Sequence, residues 1–122
     1  MIGRVPAPGT RLCALDDILD GKGRVFTWGS GKNAFGVIVL RRGDAVSAYV
    51  NVCPHFRIPL DQLGRLTTFR EFVLCSHHYA AFRSADGYCV EGPCEGASLV
   101  PMPVAIERGI ISIGPEPSGA GP

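Results

Sequence analysis

A chain of 122 residues makes one domain, with enough apolar content to bury a modest core. Apolar residues make up 46% and charged residues 19%, and twelve basic against eleven acidic side chains leave a formal net charge of +1. That balance points to neither nucleic acid nor an acidic membrane surface, so docking has to rely on local patches.

The 16 glycines and 10 prolines are spread as punctuation between short apolar runs, a pattern of many small strands joined by turns and hence of an all-β fold. In chain order, residues 1–9 read as loose, followed by strands at 10–14, 24–28, 35–41 and 45–51. A helical turn falls at 15–19. Gly43-Asp44 makes a tight hairpin between the third and fourth strands. Further strands are expected at 72–75, 81–83, 104–107 and 110–113, with Arg108-Gly109 turning the last pair. Residues 115–122 carry no apolar group able to dock and read as a disordered tail. The longest apolar run, 34–40, has seven residues including Gly36, far below the ~20 of a spanning helix, and no charged-then-apolar leader opens the chain. The expectation is a soluble, cytoplasmic protein.

Two strings carry the chemistry. Cys53-Pro54-His55 and Cys75-Ser76-His77-His78 each offer one thiolate and one imidazole at ligand spacing, together a Cys-x-His and Cys-x2-His set. The set fits a [2Fe-2S] cluster with Cys53 and Cys75 on one iron and His55 and His78 on the other. Two neutral imidazoles in place of two thiolates bring the oxidised centre near zero charge and ease its reduction. A tetrahedral zinc ion is the plainest rival, although zinc fingers pair cysteine with cysteine and histidine with histidine whereas each string here is mixed. Gly29-Ser30-Gly31-Lys32 looks like a phosphate loop but lacks its first glycine, and Asn33 replaces the magnesium-binding hydroxyl; it reads as a turn.

Three cysteines and one histidine remain. Cys89 and Cys94 have part of a plant-type ferredoxin spacing, but Ala97 stands where the next cysteine belongs. Cys13, Cys89 and Cys94 read as small buried hydrophobes or one accessible oxidisable thiol. His77 reads as loop filler beside the site, with a proton relay as the sharper alternative.

At these residues the chain resembles the Rieske family. Phe82 follows the second ligand histidine by four residues, and Asp86-Gly87-Tyr88-Cys89-Val90-Glu91-Gly92-Pro93 is similar to the turn, strand and proline loop that complete the family's site. Residues 12–114 can be laid along a Rieske ferredoxin. Two departures stand out: 56–74 is longer than usual, with the excess placed at 61–71, and Tyr79 replaces a glycine. The resemblance implies a Rieske-like β-sandwich or partly open barrel over 1–114, with a small cluster-binding subdomain inserted at about 52–93. It also implies one [2Fe-2S] cluster per chain, an outer histidine-bound iron, and an inner iron shielded by Phe56, Ile58, Pro59, Leu60, Phe82 and Pro93.

High-potential members place a disulfide where Ile58 and His77 stand and hydroxyl donors where Ala80 and Phe82 stand. Their absence implies a potential nearer about −150 mV than about +300 mV. After the cluster takes two histidines only His77 remains, too few for the mononuclear iron of an oxygenase, and no dinucleotide fingerprint is present. The function implied is a monomeric one-electron carrier between a flavin-dependent reductase and a terminal oxygenase or hydroxylase. The alternative is a Rieske-fold small subunit or redox sensor, as in assimilatory nitrite reductase.

Overall fold

Short apolar runs punctuated by glycine and proline become strands and turns throughout. The computed structural model describes residues 6–31, 34–54, 57–61, 66–75 and 80–115. Among them ten strands run in chain order: β1 (Arg11–Ala14), β2 (Gly23–Trp28), β3 (Phe35–Arg42), β4 (Ala45–Val50), β5 (Thr67–Phe69), β6 (Phe72–Leu74), β7 (Ala81–Arg83), β8 (Cys89–Glu91), β9 (Val104–Glu107) and β10 (Ile110–Ile113). Leu15–Asp17 forms one 3-10 turn after β1. No helix among the described residues is long and apolar enough to cross a membrane.

Eight strands match the sequence expectation to within one residue at either end. β8 falls in the segment where the family resemblance implies a strand, and β5 is an addition. Part of the excess length placed at 61–71 is thus a hairpin, with Phe69 paired to Phe72 and Arg70 holding the turn at φ 55°. Thr67, Thr68 and Phe69 bury no side chain fully and offer no apolar run to mark a strand. Both expected hairpin turns are present, with Arg42 opposite Ala45 and Glu107 opposite Ile110. The tail expected at 115–122 lies, beyond residue 115, outside the described residues.

The strands form three antiparallel sheets, in the orders β1-β10-β9, β2-β3-β4 and β5-β6-β7-β8, and they do not close into a barrel. β3 explains the layering. Its residues Val37, Ile38, Val39 and Leu40 are all 1% exposed or less, although neighbours on a strand point to opposite faces. A strand buried on both faces belongs to a middle layer. Val37 and Val39 enter one core with Cys13, Ile18, Ala48 and Ile111, against the sheet that pairs the two ends of the chain. Ile38 and Leu40 enter the other, with Tyr49, Cys53, Leu60, Val73, Cys75 and Phe82.

The free edge of β4 is covered by the segment after β8. Val50 N–H donates to Val100 O at 2.8 Å and Met102 N–H to Ala48 O at 2.9 Å. Tyr49 fastens the middle sheet to the four-stranded one, its buried hydroxyl donating to Ser84 O at 2.7 Å. Gly87, at φ 76°, lies so close that a Cβ there would stand 2.8 Å from the Tyr49 ring. The two cysteine strings therefore leave the ends of β4 and β6 over the same core.

Candidate metal centre

β4 ends at Val50, and exposure falls from 38% at Val52 to 0% at Cys53, so the loop flank is at the surface while the thiol is inside. Cys75, one residue past β6, is equally buried. Both join one apolar cluster with Leu60, Ala80, Phe82, Cys89, Cys94 and Leu99. The two loops close in the same way: Cys53 N–H donates to Ile58 O at 2.7 Å, and Cys75 N–H donates to Ala80 O at 2.9 Å, each carbonyl five residues downstream. In the first loop Arg57 N–H also returns to Cys53 O at 2.7 Å, with Arg57 in the left-handed region at φ 61°.

Asn51 builds the base of the first loop. Its Oδ1 accepts from Leu60 N–H at 2.8 Å, and its Nδ2 donates to Asp61 Oδ1 at 2.9 Å. Its own N–H donates to Gly36 O at 2.8 Å, where a Cβ on Gly36 would stand 3.1 Å from Asn51 Cβ. A glycine inside β3 is thus explained by close approach. The second loop rests on Gly92, at φ 99°: a Cβ there would lie 2.8 Å from Ala80 Cα, so the 92–94 turn sits directly on backbone.

Of the expected ligands, Cys53 and Cys75 are brought into one buried cluster, while His55 and His78 lie outside the described residues, as do His77, Tyr79 and Phe56. Within the spans closed by the two backbone bonds, 53–58 and 75–80, the sequence places one of those ligand histidines each. Leu60 and Phe82 are fully buried and Ile58 is packed against the same cluster, as expected of a shield. Pro59 and Pro93 are exposed and stand at the rim. Proline offers no N–H to satisfy inside, and both flank turns that run along the surface.

The remaining thiols are all buried, so none is the accessible oxidisable cysteine of one expectation. Burial pushes the Cys13 and Cys89 thiols above their ordinary values, and the nearby Cys53 adds to the rise at Cys89. Cys89 Sγ donates to Glu91 O at 3.2 Å. Cys94 Sγ lies 3.3 Å from Cys53 Sγ. Sequence reasoning gave Asn51 no role, placed Gly92 only within the family-like loop, and read Cys94 as a small buried hydrophobe without its contact to Cys53; the only local signals were a glycine opposite a strand-end asparagine and a cysteine directly after the proline of the loop.

Among the described residues, no three His, Cys, Asp or Glu side chains are arranged to hold a metal. Two buried cysteines on neighbouring loops do fit one half of a [2Fe-2S] site. A thiolate in that place is a buried anion that needs a metal to take its charge.

An all-β iron–sulfur domain is the class that this fold and donor set define. The family model for the Rieske [2Fe-2S] domain matches residues 10–106, and the chain belongs to that family. No curated protein matches it. Among solved structures it is similar to the ferredoxin of carbazole 1,9a-dioxygenase from Nocardioides aromaticivorans IC177, with a TM-score of 0.69 and 24% identity over 90% of this chain and 100% of that one. The Sphingomonas yanoikuyae B1 ferredoxin gives 0.69 and 22% over 88% and 98%. The terminal oxygenase of carbazole 1,9a-dioxygenase from Novosphingobium sp. KA1 gives 0.69 and 16%, over 90% of this chain but 31% of its own. At these identities the likeness is one of fold.

Proposed function

We propose that this chain is a Rieske-type ferredoxin that carries single electrons from a flavin-dependent reductase to a terminal oxygenase or hydroxylase. One [2Fe-2S] cluster per chain is held by Cys53 and Cys75 on one iron and by His55 and His78 on the other. The observation that carries this reading is the matched pair of loops, each closed by a cysteine N–H to the carbonyl five residues on, with both thiols in one core. When bound, the cluster supplies a one-electron couple. The chain itself excludes water from the thiols with Leu60, Ala80 and Phe82, and holds the first loop with Asn51.

A carrier is supported by composition and by likeness to a whole ferredoxin. Two histidine ligands leave one histidine within these 122 residues, too few for a mononuclear iron site. The fold spans the whole Nocardioides ferredoxin. An oxygenase as acceptor is supported by the similar structure of a reduced oxygenase in complex with oxidised ferredoxin in carbazole 1,9a-dioxygenase.

Anaerobically purified protein tests the reading. About two irons per chain are expected, with a reduced-state electron-spin spectrum whose average g lies below the free-electron value. Colourless protein holding one zinc per chain overturns it. Reduction by a flavin reductase followed by repeated turnover of an oxygenase separates the shuttle from a fixed subunit or sensor.

A further inference from the structure

Cys94 stands against a ligand sulfur. Its Sγ is 3.3 Å from that of Cys53, 41 residues earlier, and both side chains are 3% exposed or less. An S–S bond measures ~2.05 Å, so this contact is a hydrogen bond between sulfurs rather than a disulfide. Without metal either sulfur can be the donor. A metal-bound cysteine is a thiolate and has no proton to give, so in the loaded protein the proton in this contact belongs to Cys94.

We propose that the Cys94 thiol is a hydrogen-bond donor to the Cys53 ligand sulfur and raises the reduction potential of the cluster. The proposal rests on the reading of Cys53 as a ligand. Reduction adds one negative charge shared by the cluster and its ligand sulfurs, so a donor aimed at one of them stabilises the reduced state more than the oxidised one. Ala80 and Phe82 carry no hydroxyl, and Cys94 supplies a donor from a different loop.

The placement is built. Gly92 packs on the Ala80 backbone, Glu95 N–H donates to Gly92 O at 3.1 Å, and Ala97 N–H donates to Cys94 O at 2.9 Å, which fixes the turn bearing the thiol. Cys94 also lies within hydrogen-bonding reach of Cys89, which commits its own proton to Glu91 O; a neutral thiol is a weaker acceptor than a ligand thiolate, so the Cys94 proton is drawn to Cys53. The four proposed ligands, Cys53, Cys75, His55 and His78, already complete a Rieske centre, which leaves Cys94 its proton.

The test uses the loaded protein. In Cys94→Ala the ratio of reduced to oxidised protein at a fixed solution potential is expected to fall about tenfold, which for one electron is about 59 mV. Cys94→Ser keeps a donor and is expected to recover most of the shift, with unchanged iron content and g values in both. An unchanged or raised potential in a fully loaded Cys94→Ala protein overturns the donor role and leaves the proposed function intact. Absence of a Rieske-type spectrum in the wild type overturns the function itself.

Infrared difference spectra of the wild type, reduced minus oxidised, decide the matter if Cys94→Ala fails to hold iron. An S–H stretch that moves to lower frequency on reduction, persists in Cys13→Ala and Cys89→Ala, and vanishes in Cys94→Ser supports the proposal. No redox-linked S–H band, or one lost with Cys89, overturns it.

Discussion

Asn51 spans both ends of the first ligand loop, accepting from Leu60 N–H and donating to Asp61, and is itself only 7% exposed. Replacing it by alanine removes its bonds to the buried Leu60 N–H and to Asp61, which costs about 1–3 kcal/mol. Asn51→Ala is therefore expected to lower the melting temperature and to release iron faster to a chelator, both measurable on one preparation. Equal stability and equal release rates would show that the loop closes through its backbone alone. The contrast between Cys53 and Asn51 shows what a single position reveals. A cysteine two residues from a histidine advertises its chemistry, whereas an asparagine after a strand is compatible with any turn.

At the scale of elements, the 92–94 turn, which follows the β7–β8 hairpin, packs on Ala80, where the Cys75 N–H bond closes the second span. Gly92→Ala would have to place a Cβ 2.8 Å from Ala80 Cα at a φ of 99°, where alanine is strained whatever the space. Destabilisation by roughly 1–3 kcal/mol is expected, with a disturbed electron-spin spectrum, whereas Gly96→Ala, with no atom within 4 Å of its Cβ, meets only the φ penalty. Denaturant melts of the two variants give the comparison.

Tyr49 binds the middle sheet to that hairpin, and burial raises its phenol pKa above 10.0. The folded state thus keeps a proton that the unfolded chain loses first. The stabilisation this represents is complete below pH 10.0 and is lost as pH rises through the higher folded value. Tyr49→Phe is expected to be less stable by about 1 kcal/mol near neutrality, through the lost bond to Ser84, and to show a shallower alkaline decline. Melts across that range settle it; parallel declines in both proteins would assign the alkaline loss to other groups.

For the molecule as a whole, the two proposed ligand cysteines belong to the larger of its apolar clusters, so a cluster bound there would be coupled to the fold. Cys53→Ala and Cys75→Ala are each expected to abolish iron binding and to lower the melting temperature by several degrees, as is chelation of the wild-type cluster. Cys13 lies in the other core, between the middle sheet and the sheet of the chain ends. Cys13→Ala is expected to lose about 1 kcal/mol while keeping its full iron. Iron lost from Cys13→Ala but retained by Cys75→Ala would reverse the ligand assignment.

Local spacing determined much of this protein. Short apolar runs, glycine and proline punctuation and the two candidate ligand strings depend only on neighbours in the chain, so eight strands, both hairpin turns, the all-β class and the family could be read directly. The sandwiching of β3 was foreshadowed by its unbroken apolar run, but which sheet met which face was not. Tertiary structure alone decided that Asn51 meets Leu60 and Asp61, that Gly92 lies on Ala80, and that Cys94 comes within hydrogen-bonding distance of Cys53. Contacts between loops depend on how separate sheets stack and on where irregular backbone finds partners for its N–H groups. No periodicity in the chain records that arrangement.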